Sequence, residues 1–110
     1  MLELFVRQNA ERDLALQAAY YTRVDSADRA KRYLTAVEIT LSKLQLQPRI
    51  GHPCTYTHPK LRGLRKWRVK QPYGRMQIYY RIEADTLDVF RIVSSDRDTP
   101  KRLLDPPEAQ

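Results

Sequence analysis

The hydropathy pattern of the chain predicts an α+β domain in which a helical hairpin packs on one face of a small antiparallel sheet, in the order β-α-α-β-β-β. Three observations predict it. Two successive stretches repeat apolar residues at spacings of three and four and are joined by only a few residues. Three later stretches alternate apolar and polar residues across short connections. The length, 110 residues, suffices for one modest core and not for two, so residues 1–110 are expected to form a single domain, with 105–110 as a disordered tail.

Each element has its own justification. Leu2 to Arg7 is short and partly alternating, and Asn9 follows it, so an opening strand is expected to end at a helix N-cap. A first helix runs from about Ala10 to Val24. Leu14, Ala18 and Tyr21 share one face, and Glu11 and Asp13 stand in the first turn, where the helix dipole favours negative charge. Asp25 and Ser26 can cap a second helix whose stripe is Ala30, Leu34, Val37, Leu41 and Leu44, and Pro48 stops it. Two amphipathic helices so closely joined run antiparallel and need a partner surface. Pro48 to Pro59, with three prolines and both histidines, reads as a loop. Leu64 to Lys70 then places Trp67 and Val69 inward and Lys66, Arg68 and Lys70 outward. Arg75 to Glu83 places Met76, Ile78, Tyr80 and Ile82 inward and Arg75, Gln77, Tyr79 and Arg81 outward. Leu87 to Val93 is apolar on both sides, as a central strand is. Leu41, Trp67 and Ile78 are expected to be largely buried.

The net charge is +7, and its distribution is uneven. Residues 49–81 carry nine basic and no acidic side chains, against seven and six in 1–48 and four and seven in 82–110. Within that middle third, Arg65, Lys66, Arg68, Lys70, Arg75 and Arg81 are interleaved with Trp67, Tyr73, Tyr79 and Tyr80. Cations to hold phosphates or carboxylates, beside rings on which bases stack, point to an acidic partner or nucleic acid. The single cysteine, Cys54, forms no internal disulfide. The N-terminal residues lack a signal-peptide pattern, and no apolar run approaches the roughly 18 residues of a membrane span. The expected location is the cytoplasm, with no membrane partner.

Most catalytic constellations are missing. His52, Cys54 and His58 lie close together, but a structural zinc site wants four ligands, so no metal site is expected. No phosphate-binding glycine loop or zincin motif occurs, and no cofactor is called for. The remaining chemistry is phosphodiester cleavage with cations from Arg68, Lys70, Arg75, Arg81 and Arg97. It lacks an evident acid and base, since Lys and Arg are poor proton donors at neutral pH.

Gly63-Leu64-Arg65-Lys66-Trp67-Arg68-Val69, then Ile78-Tyr79-Tyr80-Arg81-Ile82, then Val89-Phe90-Arg91-Ile92-Val93 followed by Arg97-Asp98, resembles the strand spacing of the RelE/ParE toxin superfamily. Asp13-Leu14 and Pro48-Arg49-Ile50-Gly51 are similar to its ParE branch. The resemblance implies a toxin of a type II toxin-antitoxin module, neutralised by an acidic antitoxin that wraps it and that mediates any contact with operator DNA. In the ParE branch the target is DNA gyrase, held by binding. In the RelE branch the target is mRNA in the ribosome, cut by basic residues and a C-terminal tyrosine. On the RelE pattern Arg68, Lys70 and Arg97 fall at basic catalytic positions, while Gln77 stands where an arginine is expected and Leu103 where the tyrosine belongs. The ParE branch commonly has His-Gly where Ser94-Ser95 stand here. The expectation is therefore a ParE-like gyrase inhibitor that is not an enzyme, with Arg65, Lys66, Arg68, Lys70, Arg75, Arg81 and Arg97 at its binding surface. The alternatives are a ribosome-dependent endoribonuclease using Arg68, Lys70 and Arg97, and a non-toxic member that binds only antitoxin and operator.

Overall fold

A computed structural model describes residues 1–95 and 99–107 of the chain. Strand β1 (Glu3–Val6) leads into helices α1 (Gln8–Val24) and α2 (Ala27–Leu46). After them come β2 (His52–Pro53), β3 (Arg65–Arg68), β4 (Met76–Glu83), β5 (Thr86–Ser94) and a short helix α3 (Thr99–Leu104). The five strands form one sheet of order β1-β5-β4-β3-β2. Strands β3, β4 and β5 are the expected antiparallel meander, and β2 adds antiparallel to β3. The opening strand pairs with β5 in parallel, Leu4 opposite Leu87 and Val6 opposite Val89, so the sheet is mixed. A parallel pair needs a long crossover, and the helical hairpin between β1 and the meander supplies it.

Ser26 caps α2 as expected, its Oγ accepting from the Arg29 backbone N–H at 3.1 Å. The N-cap of α1 is Arg7 rather than Asn9, and no side chain caps it. What fixes this junction is the Arg7 guanidinium, which donates to both carboxylate oxygens of Asp88 on β5 at 2.9 and 2.8 Å. The segment read as a loop holds two 3-10 turns, Pro48–Ile50 and Pro59–Leu61, besides β2.

The main core lies between the helices and the sheet. Tyr33, Val37, Leu41 and Leu44 of α2 meet Ile78 and Tyr80 of β4 and Leu87, Val89 and Ile92 of β5. Leu41 and Ile78 are buried as expected, but Trp67 is only half-buried, because β3 lies one strand from the edge and Lys43 caps its ring at 5.6 Å. Tyr79, expected to face outward, is fully buried. On the outer face it joins a second cluster with Leu61, Leu64, Val93 and Leu103, roofed by α3 and the Pro59–Leu61 turn. Alternation along a strand distinguishes two faces without saying what covers either.

One irregularity organises β5. Tyr80 lies opposite Val89 and Tyr79 opposite Arg91, which leaves Phe90 as the extra residue of a β-bulge. Arg91 is buried and holds Asp13 of α1, its Nε and Nη2 donating to the carboxylate at 2.8 and 2.9 Å. The Ile92 N–H adds a third bond to Asp13 at 3.0 Å. The Arg91 Nη1 donates to the carbonyls of Arg102, Leu103 and Asp105. Asp13 is thus a buried structural anion rather than a solvated residue of the helix's first turn, and Arg91 ties α1 to α3. No helix among the described residues is long and apolar enough to cross a membrane.

Candidate functional site

The basic residues separate by what they touch. Arg65 donates to the Gly51 carbonyl at 2.8 Å and the Arg49 carbonyl at 3.3 Å, tying down the segment that leaves α2. Gly51 is required there, since its N–H donates to the Tyr80 hydroxyl at 3.0 Å and a Cβ would lie 2.1 Å from that oxygen. Arg81 donates to the carbonyls of Arg62 (2.7 Å) and Lys60, with its guanidinium 5.1 Å from the centre of the Phe90 ring. Both arginines are therefore occupied by the fold. Arg68, Lys70 and Arg75 are exposed and Lys66 is half-buried. Arg97 lies outside the described residues.

Lys66 and Arg68 do come together. With His52, Trp67, Gln77 and Ser95 they line a shallow depression of about 350 Å³ on the outer face of the sheet. Gln77 stands inside it, its amide donating to the Gly74 carbonyl at 3.4 Å. Leu103, in contrast, is buried in the second cluster, where it supports α3. Charge and hydrogen bonding in this depression suit an anion, and His52 is the side-chain type suited to proton transfer near neutral pH.

Lys70 faces a different feature, a groove along α2. Its two ends, about 310 and 340 Å³, share Ile39, Lys70 and Gln71. The floor is apolar, with Ala36, Ile39, Val69 and Tyr73, and the rim is mostly basic, with Lys31, Arg32, Lys43, Arg68 and Lys70 against one carboxylate, Asp28, which pairs with Arg32 at 3.4 Å. Thr40 sets the geometry by donating to the Ala36 carbonyl at 2.7 Å while accepting the Lys70 backbone N–H at 3.0 Å. The sequence reading missed this groove. Its signal was Ile39, which falls off the inward stripe of α2 and stands half-exposed.

The histidine-cysteine segment gathers no ligand set, and among the described residues no group of three His, Cys, Asp or Glu side chains could hold a metal. His58 accepts the Lys60 N–H through Nδ1 at 3.1 Å, capping the turn. Burial pushes the Cys54 thiol up from its ordinary range, which keeps it protonated and disfavours nucleophilic use. Beside it, burial pushes Tyr56 up to about 12 and raises Tyr79, whose hydroxyl bonds Ser95 at 2.8 Å.

Comparison with known proteins bears on this arrangement. The family described as the ParE toxin of the type II toxin-antitoxin system, parDE, matches residues 4–99. A search of curated proteins gives no match. Among solved structures, one described as the chromosomal ParDE TA system from P. aeruginosa superposes with a TM-score of 0.70 at 17% identity, covering 87% of this chain and 98% of its own. That likeness speaks to the fold, and the family match, which spans most of the sequence, to membership. The chain belongs to the ParE toxin family of type II toxin-antitoxin systems.

Proposed function

We propose that the protein is a cytoplasmic toxin that acts by holding DNA gyrase rather than by cutting RNA, and that an acidic antitoxin neutralises it by laying an amphipathic helix in the α2 groove. The observation that carries the choice between branches is the state of two positions. Gln77 supplies no cation to the outer depression, and Leu103 is committed to the core beneath α3. Phosphodiester cleavage wants preorganised cations and a proton carrier at such positions, each worth about 100-fold or more in rate. Supporting the antitoxin site, the groove pairs an apolar floor with a rim of five basic residues and one acidic one, Asp28, for a net positive charge, the complement of a helix with one apolar and one acidic face.

Inducing the chain alone tests the choice. Loss of gyrase supercoiling with mRNA intact is expected, and codon-positioned mRNA cleavage would overturn it. The groove is tested separately by Ile39→Asp, which should weaken capture of an acidic antitoxin without unfolding the chain. One observation favours the nuclease reading, the presence of His52 beside Lys66 and Arg68. On that reading His52→Ala would abolish cleavage, so RNA cut equally by the variant would remove its support.

A further inference from the structure

A further cavity lined by the described residues belongs to neither the outer depression nor the α2 groove. It measures about 460 Å³ and lies on the helix side of the sheet, where the end of α1 and the start of α2 meet the β3–β4 connection. Three features make it a built site. The rings of Tyr20, Tyr21 and Tyr73 form its walls, held by edge-on contacts of Tyr21 and Tyr73 with each other and with buried Tyr33, centroids 5.2 to 5.7 Å apart. Gln17 lines it and is only 5% exposed, yet its amide has no hydrogen-bond partner among the described residues. Two guanidinium groups reach it. Arg29 is paired with Asp25, which also lines the cavity, at 3.1 Å and lies over the Tyr21 ring, with its Nε buried without a partner, and Arg75 forms no ion pair among the described residues.

We infer that this cavity is a binding site for a purine nucleotide. The Gln17 amide opens on the cavity without a protein partner, and such an amide pairs with a ligand bringing both a donor and an acceptor. The edge of a purine does so, adenine pairing with a glutamine amide through N6 and N7. Tyrosine rings suit the flat faces of a base. The exposed Arg75 guanidinium supplies N–H donors for a phosphate, and Arg29 stands on the same wall. A lone carboxylate side chain would leave most of the volume and the Gln17 amide unused, which favours a nucleotide over an acidic peptide. The site is independent of the toxin reading, and failure of either leaves the other standing.

The test is calorimetry on the purified full chain with adenosine 5′-monophosphate, adenosine, inorganic phosphate and a glutamate-rich peptide. Saturable one-site binding of the nucleotide is expected, stronger than that of adenosine or phosphate alone. Arg75→Ala should weaken nucleotide and phosphate at least about tenfold while sparing adenosine. Gln17→Leu should weaken nucleotide and adenosine while sparing phosphate. A Gln17→Leu chain that keeps phosphate binding and a cooperative thermal transition while losing nucleotide and adenosine separates loss of binding from unfolding. No saturable nucleotide binding, equal binding by both variants, or displacement of the nucleotide by the peptide at equal concentration would each overturn the assignment.

Discussion

Asp13→Ala puts the internal wiring of the fold to a direct test. Asp13 and Arg91 are each 3% exposed in their side chains, and the carboxylate accepts three bonds of 2.8 to 3.0 Å. Removing it strands a buried guanidinium and an Ile92 N–H, and breaking a buried pair from one side costs about 3 to 5 kcal/mol. A domain of this size holds roughly 5 to 15 kcal/mol in total, so the loss is a large share. At a urea slope of about 1.5 kcal/mol/M the unfolding midpoint falls by about 2 to 3 M. Replacing both partners, as in Asp13→Leu with Arg91→Met, should recover much of that, since the desolvation cost of both charges disappears. The double variant should still lose protection in α3, whose last carbonyls Arg91 holds. Urea unfolding followed by circular dichroism measures the first effect and amide exchange the second. A cost under about 1 kcal/mol for Asp13→Ala, or a double variant no better than the single, would refute the reasoning that the pair is a mutually dependent buried unit.

Other outcomes follow from single residues. Ala84, in the β4–β5 turn, sits at φ 50°, so Ala84→Gly should raise stability by about 0.5 to 1 kcal/mol, and a lower melting temperature would count against the left-handed turn. The Tyr33 hydroxyl is buried without a partner, so Tyr33→Phe should be stabilising by about 1 kcal/mol, where a loss would show that the hydroxyl is bonded. Tyr56, Tyr79 and Tyr80 are all raised above the ordinary 10.0 chiefly by burial, Tyr56 to about 12. The unfolded chain loses these protons first, so their contribution to stability is complete below pH 10 and falls as the pH rises towards 12. Tyrosinate absorbance read beside circular dichroism checks this, and ionisation of every tyrosine near pH 10 in a still-folded chain would contradict it.

The helical hairpin and the meander were legible because their information is local. A stripe of Ala30, Val37, Leu41 and Leu44 repeats within one helix, and the two-residue connection Ala84–Asp85 dictates antiparallel neighbours. What local pattern cannot carry is pairing across distance. Asp13 meets Arg91 across 78 positions, and at sequence level an acidic residue near a helix start is already explained by the dipole. The same limit hid the parallel pairing of β1, whose partner is chosen only once the meander has folded. Two-residue β2 and six-residue α3 are too short for a periodicity to register. Tyr79 shows the effect of that omission, since with α3 unseen the outer face of β4 read as open.

For the site, the composition of residues 49–81 foretold a basic surface but overstated how much of it is available for close recognition. Arg65 and Arg81 spend their N–H donors on backbone carbonyls, and both tethers hold segments that flank the sheet. Their charges are not consumed by those bonds, because a carbonyl neutralises nothing. Long-range attraction of an acidic partner therefore draws on all nine cations, falling off over a Debye length of about 8 Å at physiological salt. On the proposed reading, contact specificity would fall to exposed side chains such as Arg68 and Lys70 where the groove meets β3. Val69 anchors the strand in the core and Thr40 fixes the Lys70 backbone to α2, so the backbone from which those two exposed cations project is held in place. On the proposed antitoxin reading, selection between acidic partners would rest on the junction of α2 and β3, while the rest of the basic third would govern how fast such partners arrive.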